Sequence, residues 1–165
     1  MEIIATDLNQ SMLDFAVTQP IARNLSWQKA DAIQLPFEDQ TFDAVVCQFG
    51  VMFFPDKRAG CGEAHRVLKP GGRFVFNVWD RIEANEFARV VSEAVAALFP
   101  EDPPGFLARI PHGYYDTDPI REDLQQVGFS SVTVETAERR SRAASHRDPA
   151  MGYCQGTPLR GEIEA

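Results

Sequence analysis

The sequence predicts an α/β domain built on a mostly parallel open sheet, with helices on both faces and an antiparallel edge at the C-terminus. Short apolar strand patterns alternate with helical patterns along the chain, an order that predicts parallel strands joined by crossover helices. The most apolar segment, Phe42–Phe49, contains four consecutive apolar residues, which is typical of a strand covered on both faces. With 165 residues and 44% hydrophobic side chains, the chain is expected to form a single domain over residues 1–165.

The first part of the chain predicts three strands and one helix. In chain order they are a strand over 2–6, a helix over 11–17, a strand over 25–30 and a strand over 42–49. The first strand is rich in β-branched residues and the second alternates polar and apolar side chains, as half-buried strands do. Asn9 or Ser11 is expected to cap the helix.

The remainder predicts further helices and strands around a proline-rich segment. In chain order they are a helix over 57–69, a strand over 73–79, a helix over 85–99, an irregular segment over 100–111, a helix over 118–126, a strand over 131–136 and an antiparallel edge strand over 139–145. Gly60 and Gly62 each cost the first of these helices about 1 kcal/mol relative to Ala. Apolar residues at helical spacing favour an amphipathic helix over 85–99.

Charge and hydropathy exclude several classes of function. The chain has 16 Lys and Arg against 24 Asp and Glu, and the net charge of −8 argues against nucleic acid as a general partner. No segment has the roughly 18–20 continuous apolar residues of a membrane span, and the acidic start of the chain is unlike a signal peptide. The cysteines Cys47, Cys61 and Cys154 match no zinc or redox spacing. A reducing, cytoplasmic location without a metal site is therefore expected.

Two acidic residues directly follow predicted parallel strands, at the edge where open α/β sheets bind their ligands. Asp7 ends the first strand, where a carboxylate accepts hydrogen bonds from both hydroxyls of a ribose; an ordinary turn or cap residue is the alternative. Asp31 follows the second strand, where its carboxylate can accept from the exocyclic amine of adenine while the next N–H, of Ala32, donates to the ring. Leu8 and Met12 would enclose the adenine, with core packing as their alternative. These residues together predict an adenosine site.

Several segments carry a resemblance to a known family. They are Asp7–Leu13, Ala30–Phe37, Phe42–Asp56 and Arg66–Phe74, with Gly128–Val132 as a further helix-to-strand junction. In this order they resemble successive motifs of class I S-adenosylmethionine-dependent methyltransferases, over most of the chain. The sequence is most similar to the type-11 small-molecule subgroup, which includes the ubiquinone and menaquinone biosynthesis C-methyltransferases. The resemblance implies a Rossmann-like fold, S-adenosyl-L-methionine as cofactor and a small-molecule methyl acceptor.

The resemblance also implies roles for individual residues. The cofactor-binding residues would be Asp7 at the ribose, Leu8 and Met12 at the adenine faces, Asp31 and Ala32 at the adenine edge, and Gln48 near the methionine end. The substrate pocket would be walled by Phe49, Met52, Phe53 and Tyr114, with core packing as the alternative for Phe53. Residues 100–118 would form a lid over this pocket. His112 in the lid would act as a base, the alternative being that His112 and Tyr114 only anchor the loop.

The most diagnostic element of that family is absent from the sequence. A hydrophobic strand and a Gly-x-Gly loop should precede Asp7 by about 20 residues, but only six residues precede it and none is glycine. The fold is therefore expected to be incomplete at the N-terminus, with unpaired backbone groups that cost about 1–3 kcal/mol each. Three explanations are open: an N-terminal segment missing from the sequence, which we favour, a sheet closed around the gap, or a strand from another protomer. Exposed sheet edges favour a homodimer, and a reduced cofactor affinity is expected.

These observations lead to the hypothesis of methyl transfer from a sulfonium to a carbon, oxygen or nitrogen of a small molecule. Positioning and exclusion of water accelerate such a reaction, so no compact catalytic signature is expected. The alternatives are a catalytically inactive remnant that acts as a binding or assembly module and, ranked last, an NAD-type dehydrogenase. The basic cluster Arg139–Arg142 is expected to protect an edge strand, with an acidic partner or RNA as the alternative.

Overall fold

The structure of the chain, a computed structural model, describes residues 2–19 and 24–165 and contains two parallel strand pairs. Strand β1 (Ile3–Asp7) pairs with β2 (Leu25–Lys29), and β3 (Phe42–Gln48) pairs with β4 (Leu68–Asn77). Both pairs are parallel, so the carboxyl ends of β1 and β2 lie side by side, as do those of β3 and β4. The predicted parallel pairing is confirmed for these four strands.

No hydrogen-bonded ladder joins β1 to β3 within the described ranges. The explanation in which the chain closes its sheet around the predicted gap is therefore wrong for this part of the molecule. One face of the β3–β4 pair is covered, because Phe74 and Phe76 pack on the main core. On the other face Val46 and Val75, which lie opposite each other in the ladder, are 71% and 54% exposed, so the expected burial of both faces is not reached there.

The described residues form seven α-helices. They are α1 (Gln10–Ala16), α2 (Lys57–Val67), α3 (Glu86–Leu98), α4 (Phe106–Arg109), α5 (Thr117–Gln126), α6 (Arg147–Gly156) and α7 (Leu159–Ile163). Asn9 caps α1, because its side-chain oxygen accepts a hydrogen bond from the N–H of Ser11 at 3.0 Å. In the part of the chain that the structure describes, no helix is both long enough and apolar enough to cross a bilayer.

The junction between α2 and β4 differs from the prediction. The helix ends at Val67, two residues early, because Leu68 already belongs to β4. The Pro70–Gly72 segment, which separates the predicted helix from the predicted strand, lies within β4 as an irregularity at which the ladder with β3 shifts register. Gly71 has a φ of +81°, a left-handed conformation that glycine adopts without steric cost.

The predicted strand over 131–136 and the antiparallel edge over 139–145 are not formed, and residues 131–143 have no regular secondary structure. The carbonyl oxygen of Val132 accepts a hydrogen bond from Nη1 of Arg121 at 2.6 Å, so a side chain takes an acceptor that a neighbouring strand would use. Because there is no edge strand here, the basic cluster Arg139–Arg142 does not protect one. The chain instead continues into α6 and α7, two helices that the sequence analysis did not predict.

The main core lies between the covered face of β3–β4 and the helices α2 and α5. Its buried residues are Val51, Met52, Cys61, Tyr114, Ile120 and Leu124. A second cluster, made of Phe106, Leu107 and Leu159, joins α4 to α7. Burial, with a smaller effect of the nearby Asp123 carboxylate, raises the pKa of Cys61 to about 11, so this thiol is unreactive at neutral pH.

Replacing Gly60 by Ala is expected to destabilise the protein by about 2 kcal/mol, whereas Gly62→Ala is expected to stabilise it by up to about 1 kcal/mol. A Cβ at Gly60 would lie 2.4 Å from the Phe54 ring, while at Gly62 the nearest atom, on Val127, is at 3.7 Å. Both positions lie inside α2, so the gain in helix propensity is shared and only the steric contact differs. Urea unfolding followed by circular dichroism measures both free energies; equal shifts in the two variants would contradict the packing described.

Candidate functional site

The two predicted acidic residues lie at the carboxyl ends of the neighbouring strands β1 and β2. Asp7 is the last residue of β1, and its carbonyl oxygen accepts the N–H of Ala30 at 3.1 Å. Asp31 is the residue after Ala30 and lies two residues beyond the end of β2. Oδ1 of Asp7 accepts the N–H of Asn9 at 2.7 Å, and Oδ1 of Asp31 accepts the N–H of Ile33 at 3.0 Å. Each carboxylate thus has one oxygen tied to its own turn and a second oxygen, Oδ2, without a hydrogen bond to the described residues.

Leu8 and Met12 border this edge and are exposed. They lie before and within α1, and their exposed fractions are 62% and 54%. The core-packing alternative for these two residues is therefore not what the structure has. Ala32, the residue after Asp31, is half-buried. The five residues that the sequence predicts for adenosine binding thus lie around the carboxyl ends of β1 and β2. The apolar side chains among them, Leu8 and Met12, are exposed and can contact a planar ring.

The carboxyl ends of β3 and β4 form an aromatic platform, defined by Phe49 and Trp79. Each of these residues follows its strand closely, and their rings stack with centroids 4.2 Å apart and planes 17° from parallel. The N–H of Phe49 donates to the carbonyl and side-chain oxygens of Asn77, at 3.2 and 3.1 Å. Gln48, the last residue of β3, lies opposite Asn77 in the ladder. The sequence analysis assigned no role to Trp79, although its position at the end of a predicted strand was the available signal.

His112 is 4% exposed and lies beside the aromatic platform. Its ring centroid is 6.2 Å from that of Trp79, and its Nδ1 is 2.7 Å from the carbonyl oxygen of Asp80. Because a carbonyl oxygen can only accept, Nδ1 carries a proton and donates it to Asp80. Nε2 makes no hydrogen bond within the described residues. This arrangement leaves Nε2 as the ring nitrogen that can form a hydrogen bond with a ligand.

A cleft of about 510 Å³ adjoins His112 and the platform. Its lining includes Trp79, Phe87, His112, Tyr153 and residues 138–141. The size suits a small aromatic molecule, since ligand pockets commonly measure about 300–1,000 Å³. The irregular segment 131–143 thus borders a cleft, which the sequence analysis, expecting strands there, did not foresee.

The other three residues that the sequence predicts for the substrate pocket, Met52, Phe53 and Tyr114, do not lie in one environment. Met52 is 1% exposed and lies in the main core, whereas Phe53 is 52% exposed. Tyr114 also lies in the main core, where its hydroxyl donates to Oδ2 of Asp123 at 2.9 Å. Burial and the Asp123 carboxylate raise the pKa of Tyr114, so this hydroxyl is neither free nor acidic. Of the predicted pocket residues, Phe49 is the one that the structure places at the platform beside His112.

Glu162 of α7 holds the segment that leads to His112. Its Oε2 accepts the N–H groups of Gly105 and Phe106, both at 2.9 Å, and its Oε1 accepts from Arg109. The two backbone donors lie at the start of α4 and Arg109 is its last residue, so the three hydrogen bonds link the predicted lid, residues 100–118, to α7. The hydrogen bond from Arg109, together with those backbone N–H groups, lowers the pKa of Glu162 below its ordinary value of 4.5.

Glu162→Gln is expected to destabilise the protein by about 1 kcal/mol at pH 7, and this difference is expected to disappear in acid. Because the pKa of Glu162 is lower in the folded protein than in the unfolded chain, its ionised form stabilises the fold above about pH 4.5. That contribution is lost as the pH falls through the lower folded-state pKa. Thermal unfolding of both proteins between pH 3 and 7 measures the effect. A constant difference across that range would show that the charge of Glu162 is not involved.

The comparisons with known proteins agree with this geometry. Residues 1–76 match the family described as a methyltransferase domain (Methyltransf_11). The chain is 44% identical over 77 residues to the demethylmenaquinone methyltransferase of Deinococcus radiodurans, a match that covers 46% of this chain and 32% of that protein. It is 29% identical over 147 residues to the ubiquinone/menaquinone biosynthesis C-methyltransferase UbiE of Marinomonas sp., covering 81% of this chain and 59% of that protein. The chain thus spans between 32% and 59% of the length of these relatives.

A solved structure supports the fold. The crystal structure of an S-adenosylmethionine-dependent methyltransferase from Thermotoga maritima aligns with a TM-score of 0.57 and 21% identity, over 76% of this chain and 54% of that one. Identity at this level shows the fold alone, which is Rossmann-like as predicted. Together, the comparisons show that the chain has the fold of S-adenosylmethionine-dependent methyltransferases and that its residues 1–76 are similar to a methyltransferase domain.

Proposed function

We propose that the chain takes part in methyl transfer from S-adenosyl-L-methionine to a small-molecule acceptor. The observation that carries the proposal is the pair Asp7 and Asp31 at the ends of two hydrogen-bonded parallel strands, each with a carboxylate oxygen left over. Parallel α/β sheets bind ligands at this edge. The residues present fit an adenosine group, because two acceptors stand beside the exposed apolar side chains of Leu8 and Met12.

The binding roles follow from the donors and acceptors available. Asp7 accepts the two hydroxyls of the ribose, and Asp31 accepts the exocyclic amine of adenine while the N–H of Ala32 donates to the ring. Leu8 and Met12 contact the adenine faces, and Gln48 lies on the side of the methionine end. When bound, the cofactor supplies an electrophilic methyl group, whose bond to sulfur breaks with both electrons left on sulfur.

The acceptor in this proposal is a planar ring with a hydroxyl group, of the quinone type after which the relatives in Marinomonas and Deinococcus are named. The ring packs on the platform of Phe49 and Trp79, and Nε2 of His112 receives the proton that the acceptor loses. Residues 100–118 cover the cleft as a lid. The exposed Phe53 contributes to the pocket wall, while Met52 and Tyr114 support it from the core.

Calorimetric titration with S-adenosylhomocysteine tests the proposed function. The expected result is saturable one-to-one binding of the ligand to the chain. Absence of binding at millimolar ligand would overturn the proposal. The alternative of an inactive binding module gains no support from the comparisons, because the family and both relatives are described as methyltransferases.

Two further parts of the proposal concern assembly and location. The edges of β1 and β3 that carry no neighbouring strand in the described residues favour a homodimer, since unpaired strand edges bind other strands. The exposed Val46 and Val75 add apolar surface on the β3–β4 sheet.

A cytoplasmic location is proposed from the composition of the sequence, which includes three cysteines that form no disulfide.

A further inference from the structure

The loop between β2 and β3 is held by two side chains of α2. Arg66 donates from Nε to Oε1 of Glu63 at 2.7 Å and from Nη2 to Oε2 at 2.7 Å, which makes a bidentate pair. Its Nη2 also donates to the carbonyl of Leu35 at 3.0 Å, and its Nη1 to the carbonyl of Phe37 and Oδ1 of Asp39, at 2.7 and 2.8 Å. These hydrogen bonds use all five N–H donors that a guanidinium has.

Glu63 completes the contact from the same helix. Its Oε2 accepts the N–H of Leu35 at 2.7 Å, so Leu35 is held through both its N–H and its carbonyl. The next residues continue the attachment through the backbone, because the N–H groups of Gln40 and Thr41 donate to the carbonyls of Arg66 and Val67, at 3.0 and 2.8 Å. The loop is therefore fixed to the end of α2 from Leu35 onward.

The fixed loop begins at the adenine-reading residues. Asp31 forms an isolated bridge with Gln34, whose N–H donates to the carbonyl of Asp31 at 3.1 Å, and Leu35 follows directly. Since no ladder joins β1–β2 to β3–β4 within residues 2–19 and 24–165, this loop is the hydrogen-bonded connection between the adenosine end and the half that carries the aromatic platform.

We propose that Arg66 and Glu63 are positioning residues that set the placement of Asp31 and Ala32 relative to the carboxyl ends of β3 and β4. This inference rests on the proposed function, in which one ligand spans both ends. A planar fork with five directed donors fixes an orientation, whereas a lysine ammonium would supply a point charge with three. The pair acts on the ligand through the loop and touches neither the cofactor nor the acceptor.

The experiment compares Arg66→Lys, Arg66→Met and Glu63→Gln with the control Arg89→Met. Arg89 is a suitable control because its side chain forms hydrogen bonds with Glu93, one turn along the exposed face of α3. Hydrogen–deuterium exchange without ligand is expected to show at least tenfold faster exchange at Leu35, Gln40 and Thr41 in Arg66→Met. Arg66→Lys is expected to recover part of this protection.

The second readout is discrimination at the adenine edge. Each variant is titrated with S-adenosylhomocysteine and with the analogue in which a carbonyl oxygen replaces the exocyclic amine. In Arg66→Met we expect about tenfold weaker binding of S-adenosylhomocysteine and a loss of its preference over the analogue, while the control keeps both. A merely structural role would lower the melting temperature and leave the preference intact, which would overturn the inference.

The outcomes separate the inference from the proposed function. If the wild-type chain binds neither ligand, the proposed function fails. If hydrogen exchange at Leu35, Gln40 and Thr41 is also unchanged in Arg66→Met, the inference that Arg66 holds the loop is overturned as well. If the wild type binds S-adenosylhomocysteine and Arg66→Met binds it equally well, the proposed function stands and the inference alone is overturned. Glu63→Gln keeps the side-chain length and serves if Arg66→Met does not fold.

Discussion

Asp7→Asn is expected to weaken the binding of S-adenosylhomocysteine by about 10- to 100-fold, because hydrogen bonds to a charged group contribute about 1.5–3 kcal/mol. The amide keeps the size of the side chain and the oxygen that accepts the N–H of Asn9, at 2.7 Å in the wild type, so the turn after β1 survives. It removes the negative charge and replaces the second acceptor by a donor, which a ribose diol cannot use in the same way. Isothermal titration calorimetry gives the affinity directly.

Asp14→Asn is the matched control for this change. Asp14 is a carboxylate on α1, in the same β1–α1–β2 unit, and its Oδ1 accepts from Nε2 of Gln10 at 2.8 Å on the exposed surface. The control removes the same charge from the same unit without touching the predicted ribose site. Equal loss of affinity in both variants would mean that Asp7 acts only through the net charge, and no loss in either would remove Asp7 from the site.

His112→Gln is expected to lower kcat by about 100-fold with an acceptor that must lose a proton, since a positioned general base contributes about 10²–10⁴-fold. The glutamine amide can still reach the carbonyl of Asp80, which accepts from Nδ1 at 2.7 Å in the wild type, but it cannot take up a proton. The measurement is release of S-adenosylhomocysteine from S-adenosyl-L-methionine with a reduced naphthoquinone as acceptor. The KM for the cofactor is expected to stay within about twofold, because His112 lies with the acceptor platform.

His146→Gln serves as the control for this second prediction. His146 is exposed and precedes α6, and its side chain makes no capping hydrogen bond. A decrease of kcat in His112→Gln with an unchanged melting temperature supports the assigned role. If the decrease in kcat accompanies a lower melting temperature, and His112→Asn behaves in the same way, His112 anchors the loop by packing and the base must be sought elsewhere.

The sequence was sufficient where a local pattern determines the position of a residue in the fold. The acids Asp7 and Asp31 were predictable, because a strand rich in β-branched or alternating residues ends at a polar residue in each case, and the parallel pairing follows from the helix between them. Asn9 as a cap and the helix over 86–98 were predictable for the same reason, since capping and amphipathic periodicity act within one turn or one helix.

The burial of a side chain depends on residues that are distant in sequence, so it was less predictable than secondary structure. Met52 and Tyr114 were expected at the pocket, but both pack in the main core against α2 and α5, which approach from other parts of the chain. The local sequence does not show whether a methionine that follows a strand will contact a ligand or pack against a helix. The stack of Phe49 on Trp79 joins two strands that are consecutive in the sheet but separated by a whole helix in sequence.

The C-terminal part shows the same limit for strands. Residues 131–136 alternate as a strand does, yet a strand needs a neighbour whose backbone groups match its own. Here Arg121 already bonds to the carbonyl of Val132. The helices α6 and α7 were missed because their apolar contacts, such as Leu159 against Phe106 and Leu107, become visible only when α4 is in place.

The backbone of Phe49 has a strained conformation. Its φ is +51°, a region that costs an ordinary L-residue about 1–2 kcal/mol and that glycine occupies freely. Glycine here would remove that cost, but it would also remove the ring that lies on Trp79. The strained conformation of Phe49 therefore accompanies the stacked aromatic rings at the carboxyl ends of β3 and β4. Backbone strain of this kind is found in many proteins at ligand-binding sites, where the surrounding structure holds a residue in a sparsely populated conformation.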